Sequence, residues 1–69
     1  MNERTIEVCQ IYLAQTKRDL MKLNTYMSLP GFTPSAMNAA RRLEEMFLSN
    51  IDFIEFLIAD LEKLPHASS

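Results

Sequence analysis

Few residues of this chain carry groups that do chemistry, and their spacing decides what each can do. The one cysteine, Cys9, and the one histidine, His66, stand near opposite ends of the sequence. A thiol and an imidazole can form a nucleophilic pair or begin a zinc site, but a zinc site takes three or four such ligands. One of each is too few for the usual ligand sets, and a lone cysteine forms no disulfide within the chain. Cys9 falls among apolar residues at helical spacing, where a thiol behaves as a small hydrophobe. His66 stands in Pro65-His66-Ala67-Ser68-Ser69, a tail that reads as frayed and cannot hold a base in place. Glu44 with Glu45, and Asp60 with Glu62, are the acidic pairs. Residues one or two apart on a helix point in well-separated directions, so neither pair shares a proton as a catalytic dyad does. They read as solvated faces. With a single glycine there is no glycine-rich phosphate loop. The expectation is a protein that is not an enzyme, with no catalytic residue, cofactor or metal.

The basic residues form two small groups, Lys17, Arg18 and Lys22, and the pair Arg41-Arg42. Seven basic residues against nine acidic ones give a net charge of −2, which disfavours a general grip on nucleic acid or an anionic membrane. Ordinary solvated charge is the better reading, with a small RNA-binding face on a dimer as the competing one.

The elements that must position these residues follow from periodicity. Ile6, Cys9, Leu13, Thr16, Leu20, Leu23 and Met27 recur in threes and fours, a heptad seam that predicts a helix over 3–28. Arg4, Gln15, Arg18, Lys22 and Thr25 occupy the opposite side with one apolar exception, Ile11, and Lys17 sits near the flank of the seam. Thr16 is tolerable within it, because its hydroxyl can bond back to its own helix. Pro30 and Gly31 break the pattern, so 29–33 is a loop. Thr33 is a good N-cap and Pro34 suits the first helical position. Phe32 is placed to staple onto Met37. A second helix is predicted over 34–64, ended by Pro65, with a seam of Ala40, Leu43, Phe47, Asn50, Ile54, Leu57, Leu61 and Leu64. Opposite it lie Asn38, Glu45, Asp52 and Ala59. A short loop implies an all-α antiparallel two-helix hairpin, one domain over 1–69, roughly 40 Å long and without an enclosed core.

Sixty-nine residues make a small domain, one that buries only about 60% of the surface its unfolded chain exposes. Apolar residues make up 48% of the chain. The second helix has more of them than one partner covers: beyond the seam stand Met46, Leu48, Ile51, Phe53, Phe56 and Ile58. Each such side chain contributes about 1.5–3 kcal/mol when buried, so leaving four or five in water forfeits on the order of 10 kcal/mol. Pairing of two hairpins into a four-helix homodimer is the simplest closed solution. Its expected core is Leu13, Leu20, Leu43, Phe47, Asn50, Ile54, Leu57 and Leu61, where the polar Asn50 would fix register. Val8, Ile11 and Tyr12 form a second apolar patch. Met37, Arg41, Arg42, Glu45, Met46 and Leu48 make a mixed charged and apolar surface of the kind enriched at interfaces, and are the expected partner-binding residues.

In length and helix order the whole chain resembles the small dimeric hairpins with which phages disable host regulators, in particular the quorum-sensing anti-activators of Pseudomonas phages. No diagnostic motif is shared. The resemblance implies a homodimer that sequesters a LuxR-type transcription activator and also affects pilus assembly. It directs attention to Arg41-Arg42-Leu43-Glu44-Glu45 for partner contacts. The hairpin chaperones of type III secretion needles look similar and use a hairpin to cover an aggregation-prone helix. The dimeric copy-number control protein of colicin-type plasmids resembles it in architecture alone, and implies RNA binding. The aspartyl-phosphate phosphatases of sporulation control are also short hairpins, but their Ser-Gln-Glu-Leu-Asp signature is missing here. No apolar run approaches the roughly 18 to 20 residues that span a bilayer, and Met-Asn-Glu-Arg-Thr-Ile-Glu is unlike a signal peptide. A cytoplasmic location in a bacterial host, with self and a host protein as partners, is the expectation.

Overall fold

Two helices, α1 over Asn2–Met27 and α2 over Pro34–Lys63, make up the computed structural model, which describes residues 2–64. Both predicted helices are found, with bounds within one residue of expectation; Pro65 and the tail with His66 lie outside the described residues.

Local bonding explains the ends. At the close of α1 the Ser28 N–H reaches the carbonyls of Asn24 and Thr25 at 3.2 Å, and its hydroxyl donates to the Thr25 carbonyl at 2.8 Å. These bonds engage carbonyls that a helix otherwise leaves open at its last turn. Gly31 then adopts φ +92°, a left-handed backbone that a Cβ disfavours. The Thr33 hydroxyl accepts from the Ala36 N–H at 3.1 Å, and Pro34 opens the helix, as its fixed φ allows. Phe32 and Met37, the expected staple, are both half-buried. At its other end α2 carries Lys63 in the last turn, where a cation suits the helix dipole.

Val8 and Tyr12 stand beside Phe53 and Leu57. The start of α1 therefore meets the later part of α2, and the helices run antiparallel. The molecule is a rod of 56 × 14 × 11 Å with a radius of gyration of 16.2 Å, against about 11 Å for a compact domain of this length.

The α1 seam is as the spacing predicts: Ile6, Cys9, Leu13, Leu20, Leu23 and Met27 are half-buried and Thr16 is buried. Thr16 donates its hydroxyl to the Tyr12 carbonyl at 2.8 Å, so the one polar group at the centre of the seam is satisfied within its own helix.

The α2 seam requires a correction. Leu43 is 40% exposed, and Asn50 and Leu64 are exposed too, so these three do not face α1. Glu44, Ile51 and Ile58 join the shared positions Ala40, Phe47, Ile54 and Leu61, and Leu57, half-buried as well, lies at the edge of the seam beside α1. Ile51 and Ile58, expected among the surplus, therefore belong to the hairpin's own seam. Both sets recur in threes and fours, and α2 is turned so that the isoleucine-bearing one meets α1. A glutamate fits such an edge by laying its methylene stem on apolar neighbours and keeping its carboxylate in water; Glu44 is half-buried. Among the described residues Thr16, Ala40, Ile51 and Ile54 are the buried ones, and no side chain is fully enclosed. One partner helix covers one stripe. The rest stays in solvent.

Candidate protein-binding face

The turning of α2 determines what it leaves open. Leu43, Met46, Asn50, Phe53 and Leu57 follow one another by three and four residues and so form a single stripe beside the seam. Met46 and Phe53 are 60% and 64% exposed. On the same side of the rod α1 presents Val8 and Tyr12, four residues apart and both more than half exposed. Between the two lies a groove of about 350 Å³, lined by Val8, Cys9, Tyr12, Asn50, Phe53, Ile54 and Leu57. Val8 and Tyr12 of the patch expected on α1 and Phe53 of the surplus expected on α2 are thus one surface, whereas Ile11, 64% exposed, lies outside the groove. Their spacing within each helix was visible in the sequence; which flanks come together depends on how α2 is turned.

Chemically this groove can accept apolar side chains and little else. A thiol, a phenol and one amide are its polar groups. No cluster of three His, Cys, Asp or Glu that would suit a metal ion occurs among the described residues. Cys9 is half-buried on the groove floor, in keeping with its reading as a small hydrophobe.

The other flank of the seam differs in kind. Lys17 Nζ lies 3.4 Å from Glu55 Oε2, with both side chains about half exposed, a pair that contributes at most about 1 kcal/mol. That contact engages one of the three basic residues of α1 considered for RNA.

The remaining sequence candidates scatter. Arg41, Arg42, Glu45, Met46 and Leu48 are exposed and Met37 is half-buried. By helical spacing Met37, Arg41, Glu45 and Leu48 share one side of α2, whereas Arg42 and Met46 lie on the groove side, so the six do not form one face. Within Arg41-Arg42-Leu43-Glu44-Glu45 the half-buried Glu44 turns toward the seam and the rest are accessible. Of the expected dimer core, Leu13, Leu20, Phe47, Ile54 and Leu61 are engaged in the hairpin itself, while Leu43, Asn50 and Leu57 border the open stripe. Glu45, Asp60 and Glu62 are solvated.

No helix of the described residues is long and apolar enough to cross a membrane. Comparison with protein-family models, with curated proteins and with solved structures finds no match to this chain.

Proposed function

We propose that this chain is a small homodimeric binding protein that inhibits a host regulatory protein by stoichiometric sequestration, and is not an enzyme. One observation carries the reading: an apolar side of the hairpin, built from Val8, Tyr12, Leu43, Met46 and Phe53, is left in solvent. Contiguous apolar surface of this kind marks interaction sites, and the energy of covering it is what a binding protein uses. The resemblance to phage anti-activators supplies a target class, a LuxR-type transcription activator, with a pilus assembly component as a second target.

The test is direct. The purified chain is brought to micromolar concentration in the ultracentrifuge and then titrated into a purified LuxR-type activator bound to its operator DNA. A stable dimer that releases the activator from DNA at one protomer or one dimer per activator supports the proposal. A folded monomer with no effect on the activator overturns it. The same apolar side also suits the secretion-chaperone reading, which differs in one measurable respect: such a chaperone is unstable until its cognate helix is co-expressed.

A further inference from the structure

The open stripe of α2 is nearly symmetric about its own middle, and the geometry points to a second copy of this chain, laid antiparallel along α2, as its occupant. This rests on the homodimer reading above, adds the interface and its register, and leaves the exposed Arg41, Glu45, Leu48 and Phe56 on the outward side of α2 for the host protein. Leu43 and Met46 precede Asn50 by seven and four residues; Phe53 and Leu57 follow it by three and seven. A two-fold axis at Asn50 therefore brings Leu43 level with the partner's Leu57, and Met46 to within one residue of the partner's Phe53. Each large apolar side chain of the stripe meets another. The partner's Met46 also comes level with the groove beside Val8 and Tyr12.

Charge selects the same direction. Arg42 and Asp60 edge the stripe at its two ends, and both are exposed. Antiparallel pairing sets Arg42 within about a turn of the partner's Asp60, twice in each dimer, whereas parallel pairing leaves the two at opposite ends of the stripe and out of each other's reach. The stripe of α1 offers no comparable match. Beyond Val8 and Tyr12 it continues through Gln15, Asp19 and Lys22 before reaching the exposed Tyr26, and the charged pair would be set against Leu43 and Met46.

The area is adequate. Val8, Tyr12, Leu43, Met46 and Phe53 are 40–64% exposed, and at roughly 100 Å² each they approach the ~800 Å² per partner of a standard interface once Leu57 and the polar rim are included. Asn50 on the axis meets its own copy, and two facing amides hydrogen-bond to each other and fix the register.

Two measurements test this together. In a Cys9→Ser background, Asn50→Cys places thiols across the axis and is expected to give a cross-linked dimer on mild oxidation, while Asp52→Cys on the outward side gives none. Sedimentation equilibrium at low salt then follows charge exchange. Arg42→Asp or Asp60→Arg alone is expected to raise the dimer Kd about tenfold, and the double exchange to return it to within about threefold. A dimer that resists cross-linking at position 50 and is weakened further by the double exchange overturns this interface and leaves the homodimer reading standing. A chain that stays monomeric throughout overturns both.

Discussion

The two flanks of one seam show how the same scaffold makes a closed side and an open one. On one flank Lys17 bridges to Glu55, and on that side of α2 Met37, Glu44 and Ile58 are half-buried. On the other, Val8 and Tyr12 face Phe53 and Leu57 across a gap that no side chain among the described residues fills. Long charged side chains reach across a helix pair and hold their heads in water; aromatic rings at the same distance leave a furrow. The difference teaches where function resides. A closed flank maintains the hairpin, and an open one is available to another molecule.

That division is broken most severely at the seam. Ile54, 5% exposed, has no room and no counter-charge for a carboxylate. Ile54→Asp is expected to cost several kcal/mol and to unfold so slender a hairpin outright, seen as loss of the helical circular dichroism signal. Helicity that survives the change would mean that the seam is misplaced. The same signal should fall with Phe47→Asp.

A paired truncation then sharpens the contrast. Ile51→Ala in the seam is expected to lower stability by about 2–4 kcal/mol in urea titration. Phe53→Ala, only about 3 Å away along the helix axis at ~1.5 Å per residue, should leave the folding of the isolated hairpin within about 0.5 kcal/mol. Its effect should fall on self-association instead. Equal losses of stability from the two would erase the distinction between seam and open stripe.

How much of this was legible in the sequence differs between the helices, for a physical reason. On α1 one continuous apolar stripe runs the length of the helix and the second patch of Val8, Ile11 and Tyr12 is short, so a single orientation satisfies the helix, and Ile6 through Met27 are found where the spacing puts them. On α2 two overlapping stripes share Ala40, Phe47, Ile54 and Leu61. One extends through Leu43, Asn50 and Leu57, the other through Glu44, Ile51 and Ile58. Periodicity fixes the spacing within a stripe but not which of two apolar flanks turns toward the neighbour. Each set has one polar member, Asn50 or Glu44, and two apolar ones, so the apolar pattern alone does not separate them. Packing favours the second, since two β-branched isoleucines fill the narrow seam and Glu44 needs only its stem there. The loop, in contrast, was readable residue by residue, because Gly31, Thr33 and Pro34 act through their own backbone and capping chemistry. The groove was not readable, because it exists only once both helices are turned and paired.

The cap offers a smaller and cleaner perturbation, remote from both flanks. Thr33→Ala removes the hydroxyl that accepts from the Ala36 N–H at 3.1 Å. The expected loss is about 1 kcal/mol, measured by urea titration, with Thr33→Ser retaining most of the wild-type value.

The smallest effect separates a bond that spans the seam from one that does not. Thr16, 4% exposed, is the buried polar residue of the hairpin, yet its hydroxyl serves only the Tyr12 carbonyl of its own helix. That carbonyl is also placed to accept the ordinary helical bond from the Thr16 N–H. Thr16→Val keeps the shape, removes the hydroxyl, and leaves no acceptor wholly without a partner, so the change should lie within about 0.5 kcal/mol of neutral or be slightly stabilising. A loss well beyond 1 kcal/mol would show that this hydroxyl also bonds across to α2, and that the seam is held by a polar contact as well as by its isoleucines.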